Sequence, residues 1–210
     1  NAEDLIKQAD TAMYSAKNAG RNQYQFYKDE MTSEIFEKII MKQEITDAIK
    51  NNEFEVYYQP QIDIKTNKII GAEALLRWNH KNLGLIPPNE FIIHAEETKL
   101  IIPLGEYVLK TACSFMKELQ DKKILENAKV SVNISPVQLK YSDIYKMVVD
   151  NLKITNLDPS FLELELTETF IMENVEESIL ILNNLKNIGI QLSIDDFGTG
   201  YSSLSYLKLF

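Results

Sequence analysis

Apolar and polar positions follow two different periods along the chain, and the period changes near residue 50. Before that point, apolar side chains recur every three or four residues, as they do on one face of a helix. From residue 54 onward, short runs in which every second residue is apolar are typical of half-buried strands. These runs alternate with further helical patterns. The chain therefore predicts a helical beginning followed by an α/β region.

The α/β region predicts five strands and four helices. The strands are expected at residues 54–62, 68–78, 129–134, 161–166 and 189–194, and the helices at 88–97, 104–120, 143–152 and 174–188. The last three strand ends lie about 30 residues apart, the length of one βα unit. Such units form either an open doubly wound sheet or an eight-stranded barrel. No Gly-x-Gly-x-x-Gly turn follows the first strand, which favours the barrel.

The first 28 residues form a separate pattern. They predict a helix that ends near Gly20 and a short strand at residues 22–27. One helix and one strand cannot bury their own apolar faces, so we expect this piece to belong to a domain that starts upstream. Residues 33–50 predict a second helix that joins it to the α/β region.

Charge and composition narrow the possible functions. The 210 residues carry a formal net charge of −9, which argues against a general nucleic-acid-binding surface. No run of 18 apolar residues is present, so no stretch of the chain predicts a membrane span. The single cysteine, Cys113, excludes an internal disulfide framework and fits a cytoplasmic, reducing compartment. We expect Cys113 to be a buried thiol on a helix.

Polar side chains recur near the ends of successive predicted strands, inside otherwise apolar runs. They are Glu73, Asn133, Glu163, Glu165, Asp195 and Asp196. Each also has a simpler interpretation: Glu73 could pair with Arg77, Asn133 could cap a turn, and Glu163 or Glu168 could be solvated. In a barrel, however, the carboxyl ends of the strands meet at one mouth, and a bare cluster of carboxylates there would be unfavourable.

Oxygen ligands of this kind suit hard divalent cations, Mg²⁺ or Mn²⁺. Adjacent carboxylates such as Asp195 and Asp196 are what a two-metal phosphodiesterase uses to bridge ions about 3.5–4 Å apart. Arg77 offers a fork for a phosphate group. No Cys/His spacing indicates zinc, and His80 and His94 are expected to be ordinary surface or loop residues. Trp78 could line a base pocket or cover the barrel mouth.

Several motifs together resemble the EAL family of cyclic-di-GMP phosphodiesterases. They are Glu73-Ala74-Leu75-Leu76-Arg77-Trp78, Tyr58-Gln59-Pro60, Asn133-Ile134-Ser135, Glu165-Leu166-Thr167-Glu168 and Asp195-Asp196-Phe197-Gly198-Thr199-Gly200-Tyr201-Ser202-Ser203-Leu204. The resemblance covers residues 46–210. It implies a modified (β/α)8 TIM-like barrel that hydrolyses cyclic di-GMP to linear pGpG with two Mg²⁺ or Mn²⁺ ions.

The resemblance also implies a role for individual residues. One metal would be held by four ligands: Glu73, Asn133, Glu165 and Asp195. Asp195 would bridge to the second metal, which Asp196 also binds. Gln59, Leu75 and Arg77 would contact the substrate. Glu168 would anchor the loop at 197–203, which in this family links the metal site to dimerisation; the catalytic set is thus Glu73, Asp195, Asp196 and Glu168.

Residues 8–22 resemble the closing helix and strand of GGDEF (diguanylate cyclase) domains, without that family's signature loop or active site. We therefore expect a GGDEF remnant at 1–28, a linker helix at 29–45 and an incomplete EAL domain at 46–210. The EAL family's catalytic Lys, further metal-binding Glu and substrate-contacting Gln follow the fifth strand, and Lys208 lies too early to be that Lys. The chain is expected to be an excerpt that is inactive alone.

Three hypotheses remain open from the sequence. The complete protein is expected to be a cyclic-di-GMP phosphodiesterase, a homodimer through its EAL domain, with GGDEF and sensor domains upstream and no DNA partner. The second hypothesis is a degenerate EAL domain that binds cyclic di-GMP as a receptor. The third is that these residues serve only as a scaffold.

Overall fold

The computed structural model describes residues 1–18, 20–125, 127–167 and 175–195. The chain divides into two compact units, Asn1–Asp47 and Ala48–Phe210. The boundary between the two units in the sequence falls within helix α2 (Asp29–Asn51). The domain boundaries expected after residues 28 and 45 stay predictions.

The first unit contains helix α1 (Ala2–Asn18), followed by a segment without regular secondary structure at residues 23–28. The buried face of α1 includes Ala12 and Ala16, each 6% exposed. The prediction of a strand at residues 22–27 is wrong, because this segment forms no strand. Alternation in sequence is not enough to make a strand, since a strand also needs a partner for its backbone hydrogen bonds.

In the second unit, the described residues form one six-stranded sheet. Its strands are β1 (Phe54–Asp63), β2 (Lys68–His80), β3 (Gly84–Ile86), β4 (Lys129–Ile134), β5 (Leu162–Thr167) and β6 (Gln191–Asp195). The sheet order is β1-β2-β4-β5-β6, with the short β3 paired to β2. Strands β2, β4, β5 and β6 are parallel, as expected, whereas β1 and β3 run antiparallel to β2. The first βα unit is therefore replaced by a hairpin.

Among the described residues, five helices and one 3-10 turn lie between the strands. They are α3 (Pro88–Glu97), α4 (Ile101–Asp121), α5 (Pro136–Tyr141), α6 (Ile144–Thr155), the 3-10 turn Pro159–Phe161 and α7 (Val175–Asn187). The sequence predicts four of these helices but not α5, which is a single capped turn and a half. Ser135 caps it by accepting a hydrogen bond from the backbone N–H of Val137.

The two faces of the sheet differ sharply in polarity. In β5 the leucines Leu162, Leu164 and Leu166 are at most 2% exposed, while Glu163 and Glu165 on the opposite face are half-buried. This confirms the alternation expected from the sequence. The leucine face is buried, whereas the glutamate face is only partly covered by the described residues. In a closed barrel this second face would line the interior. The fold is α/β with a TIM-like arrangement.

None of the helices in the described part of the chain is long and apolar enough to cross a lipid bilayer.

Candidate active site

Strand pairing brings the predicted ligands onto one face of the sheet. Asn133 on β4 lies opposite Glu165 on β5, and Thr167 lies opposite Asp195 on β6. On the other side of β4, Glu73 lies opposite Ser131, two residues before Asn133. Because β2, β4, β5 and β6 are parallel, these positions all lie at one edge of the sheet, towards the carboxyl ends of the last three strands.

Asn133 and Glu73 are in direct contact. The Nδ2 atom of Asn133 donates a hydrogen bond to Oε1 of Glu73 over 2.7 Å. Glu73 does not pair with Arg77, whose Nη1 atom donates to the carbonyl of Leu76 over 2.9 Å and whose guanidinium lies 5.8 Å from the centre of the Tyr57 ring. This bond uses only Nδ2 of Asn133 and Oε1 of Glu73, so Oδ1 of Asn133 and Oε2 of Glu73 remain available as acceptors.

Glu165 lies in an electrostatically strained position. Burial raises the pKa of its carboxyl group above the usual range, and the nearby polar side chain of Ser131 opposes that rise. The negative charges of Glu73, Glu163 and Asp195 raise the pKa of Glu165 further. Several carboxylates thus share one small region, and a cation bound among them would relieve their mutual repulsion.

The residues present fit a hard divalent cation by donor type and by charge. Glu73, Asn133 and Glu165 offer only oxygen ligands, and the repulsion around Glu165 favours positive charge. Within the described ranges, no three His, Cys, Asp or Glu side chains lie together closely enough to form a metal site. The metal-ligand assignment stays a prediction.

Part of the predicted site lies outside the described residues. This applies to Glu168, Asp196 and the loop at 197–203. Asp195 is the last described residue of β6 and is exposed. Residue 174, where the last predicted helix begins, also lies outside the described part.

The three predicted substrate contacts extend the same polar face towards the sheet edge. Gln59 on β1 is exposed and lies opposite Glu73 on β2. Leu75 and Arg77 follow Glu73 at alternate positions and are half-buried. Their side chains therefore share the face of Glu73, although their roles towards a substrate stay predictions.

Trp78 does not line this face. It is completely buried on the opposite side of β2, where it packs against Phe54 and Phe91 and donates from Nε1 to the Glu53 carboxylate over 3.2 Å. Of the two interpretations offered by the sequence, the base pocket is wrong and the barrel mouth stays a prediction. The alternation along β2 could have predicted this burial, because Trp78 lies on the same strand face as the buried Ala74 and on the opposite face from Glu73.

The histidines and the cysteine have structural surroundings. His80 is 8% exposed, not a surface residue, and its Nδ1 accepts from the backbone N–H groups of Asn82 and Leu83 in a turn. His94 is partly buried on α3, with Nδ1 3.9 Å from the Glu97 carboxylate. Cys113 is buried on α4, as expected, and burial raises the pKa of its thiol to about 12.

Two polar residues on this face were not singled out by the sequence analysis. They are Ser131, which is 1% exposed, and Gln61, whose Nε2 lies 3.5 Å from Oγ of Ser131. Ser131 lies two residues before Asn133, and Gln61 lies two residues after Gln59, so each shares a strand face with a predicted site residue. This spacing of two residues along a strand could have identified them from the sequence.

Comparison with known proteins identifies a family model and close relatives. The EAL domain model matches residues 42–210. The chain is 40% identical over 205 residues to the bifunctional diguanylate cyclase/cyclic di-GMP phosphodiesterase MucR of Pseudomonas aeruginosa, covering 98% of the chain. It is 38% identical over 206 residues to the cyclic di-GMP phosphodiesterase PdeR of Escherichia coli, again covering 98% of the chain.

A solved structure of the PaMucR phosphodiesterase in complex with c-di-GMP has the same fold. Its TM-score is 0.78 at 38% sequence identity, over 81% of this chain and 69% of that one. The chain spans only 30% of the length of MucR and 31% of PdeR.

Proposed function

Because the chain belongs to the EAL domain family, we propose that it provides the metal-binding side of a cyclic-di-GMP phosphodiesterase that releases linear pGpG. The observation that carries this proposal is the placement of Glu73, Asn133 and Glu165 at one edge of three neighbouring parallel strands. The hydrogen bond between Asn133 and Glu73 joins two of them directly. Relatives named for cyclic-di-GMP phosphodiesterase activity support the choice of substrate.

In this proposal the ligands of one Mg²⁺ or Mn²⁺ ion are Glu73, Asn133, Glu165 and Asp195, and Asp195 and Asp196 hold a second. Divalent cations at such a site supply Lewis-acid stabilisation of phosphate charge and a stronger water nucleophile at neutral pH. Asn133 keeps the Glu73 carboxylate turned towards the site through its hydrogen bond. Asp195, Asp196, Glu73 and Glu168 form the catalytic set.

The substrate is proposed to lie along the polar face of β1 and β2. Arg77 can donate two parallel hydrogen bonds to a phosphate group, which a lysine could not do in the same fixed geometry. Gln59, opposite Glu73, offers an amide that can donate and accept. Leu75 lies between Glu73 and Arg77 at alternate positions and offers apolar contact. Glu168 would anchor the loop at 197–203.

The wider organisation of the protein is also proposed. Since the chain spans less than a third of MucR and PdeR, we place a GGDEF domain and a sensor domain upstream. Dimerisation through the EAL domain, a cytoplasmic site of action and the lack of a DNA partner belong to the same proposal.

The test is release of pGpG from cyclic di-GMP by the full-length gene product. We expect turnover with Mg²⁺ or Mn²⁺, its loss with EDTA, and a fall of more than about 100-fold in kcat for Glu73→Ala. The matched control is Glu118→Ala, which removes a carboxylate from the exposed side of α4, where Glu118 pairs with Lys122. Unchanged turnover in Glu73→Ala would contradict the metal assignment. Binding of cyclic di-GMP without any hydrolysis would instead favour the receptor hypothesis.

A further inference from the structure

Two adjacent tyrosines on β1 have opposite surroundings. The ring of Tyr58 stacks on Phe115 of α4 with 3.8 Å between the ring centres, and its hydroxyl donates to the carbonyl of Thr111 over 3.3 Å. Tyr57 lies on the other face of the strand and is 46% exposed. Tyr58 is therefore a packing residue, whereas the ring of Tyr57 is accessible to a ligand.

The register of the β1–β2 hairpin places Tyr57 among the proposed substrate contacts. Tyr57 lies opposite Leu75, and Gln59 lies opposite Glu73. The guanidinium carbon of Arg77 lies 5.8 Å from the centre of the Tyr57 ring. Along the hairpin, the pair of Tyr57 and Leu75 thus lies between Glu73 at the proposed metal site and Arg77 at the proposed phosphate contact.

A cyclic dinucleotide suits a site that combines an exposed ring with a guanidinium group. Only a ribose separates each of its phosphates from the nearest purine, so a residue that binds a phosphate has a base close by. Purines stack on aromatic side chains through the π-face that every base has. Arg77 donates from Nη1 to the carbonyl of Leu76 over 2.9 Å. This bond holds the guanidinium near the strand and uses one of its five N–H donors.

We propose that Tyr57 is a further substrate-binding residue, whose ring stacks on a guanine base of cyclic di-GMP while Arg77 binds the adjacent phosphate. This inference rests on the proposed function, because it takes cyclic di-GMP as the substrate and Arg77 as a phosphate contact. A base does not take part in the cleavage of the phosphodiester bond, so the stack stabilises the bound substrate and the transition state equally. Its loss should raise KM and leave kcat unchanged.

A simpler role for Tyr57 would be to hold Arg77 in place by a cation–π contact. A double-mutant cycle with Arg77→Met separates the two roles. If Tyr57 acts only through Arg77, then Tyr57→Ala has no further effect once the guanidinium is absent. If the ring itself binds a base, Tyr57→Ala raises KM in both backgrounds.

The experiment measures the steady-state release of pGpG from cyclic di-GMP by the full-length gene product with Mg²⁺. We expect Tyr57→Ala to raise KM by about 5- to 150-fold. Its kcat should stay within about twofold of wild type, and Tyr57→Phe, which keeps the ring, should stay within about twofold in both constants. The matched control is Tyr145→Ala, which removes a tyrosine of similar exposure, 42%, from α6 and should change neither constant.

The stacking role can fail while the proposed function stands. Three results would overturn the stacking role alone: an unchanged KM in Tyr57→Ala, an equal rise in Tyr57→Ala and Tyr57→Phe or Tyr145→Ala, and an effect that disappears in the Arg77→Met background. A rise in KM that is confined to Tyr57→Ala and persists with Arg77→Met supports it.

The proposed function can also fail by itself. If the wild-type protein binds cyclic di-GMP in calorimetry but releases no pGpG, hydrolysis is overturned. A weaker Kd in Tyr57→Ala would then still support the base contact, and an unchanged Kd would overturn it. A wild-type protein that neither binds nor hydrolyses cyclic di-GMP overturns both proposals.

Discussion

Asn133 on β4 donates its side-chain amide to the Glu73 carboxylate on β2 over 2.7 Å, although the two residues are 60 positions apart in sequence. Strand pairing places Glu73 opposite Ser131, so Asn133 reaches Glu73 diagonally across the parallel pair. This contact brings two proposed ligands of one cation together through the sheet itself, without a loop.

Replacing Asn133 by Asp should make stability depend on pH. The variant exchanges a hydrogen bond to Glu73 for two like charges at neutral pH, which raises the pKa values of both carboxyl groups. The penalty should be present above those pKa values and disappear as the pH falls below them. We expect a loss of about 1 kcal/mol in the free energy of unfolding at pH 7, measured by urea denaturation of the metal-free protein. Asn133→Ala, which adds no charge, is the control, and a penalty in Asn133→Asp that does not vary with pH would contradict the prediction.

Glu165→Gln should stabilise the metal-free protein while abolishing its share of cation binding. Burial and neighbouring carboxylates raise the pKa of Glu165, so its ionised form is less favourable in the folded state than in the unfolded state. A carboxyl group with a raised pKa destabilises the fold above that pKa and ceases to do so at lower pH. The melting temperature of Glu165→Gln should therefore exceed that of wild type at pH 7, with the difference lost in acid. A lower melting temperature of Glu165→Gln than of wild type at pH 7 would show that the folded protein stabilises the negative charge of Glu165.

Trp78→Phe should weaken the fold without changing cation binding. Trp78 is completely buried, and its Nε1 donates to Glu53. The substitution removes ring volume and leaves the Glu53 carboxylate without this donor, which should cost about 1–3 kcal/mol. Urea denaturation followed by circular dichroism measures the loss, and Mn²⁺ titration checks that the site is unaffected. Weakened Mn²⁺ binding at unchanged stability would contradict the prediction and show that Trp78 contributes to the cation site.

Cys113 should react with thiol reagents only after unfolding. It is fully buried on α4, and burial raises the pKa of its thiol to about 12. The reactive thiolate is therefore scarce at pH 8 in the folded protein, whereas an unfolded thiol with its ordinary pKa ionises readily. Labelling with Ellman's reagent should be slow in buffer and fast in urea. Rapid labelling under native conditions would show that α4 opens locally.

Gly105→Ala should destabilise the protein, although alanine is the better helix former. A Cβ atom at residue 105 would lie 2.6 Å from Cδ of Gln138, whose side chain is buried beside α4. We expect a loss of about 1–3 kcal/mol from this overlap. The double variant Gly105→Ala/Gln138→Ala removes the obstructing amide and should be less destabilised than the sum of the two single variants. Additive losses in urea denaturation would contradict a direct clash.

The elements of the second unit could be predicted well because their patterns are local. The alternation of Leu164 with Glu163 and Glu165 is a property of one strand and appears unchanged in the structure. The direction of β1 could not be predicted, since a strand has the same period of two in a parallel and an antiparallel pair. The three-residue β3 is too short to show any period.

The candidate site, like the fold, could be predicted from the sequence only in part. The motif around Glu73 and the carboxylates of β5 pointed to oxygen ligands on one face, and the structure places Glu73, Asn133 and Glu165 on that face. The role of Trp78 in the core was missed, although its parity in β2 was available. Ser131 was missed for another reason, because a single serine in a strand has no distinctive chemistry until its neighbours are known.

The sequence by itself determined which side chains share a face of each strand, because successive Cβ atoms alternate by the geometry of the backbone alone. It also contained the motifs that identify the family. Only the tertiary structure decided which strands are neighbours and in what register, because those depend on hydrogen bonds between residues far apart in the chain. The contacts of Asn133 with Glu73 and of Ser131 with Gln61 exist only because β1, β2 and β4 are adjacent in this register.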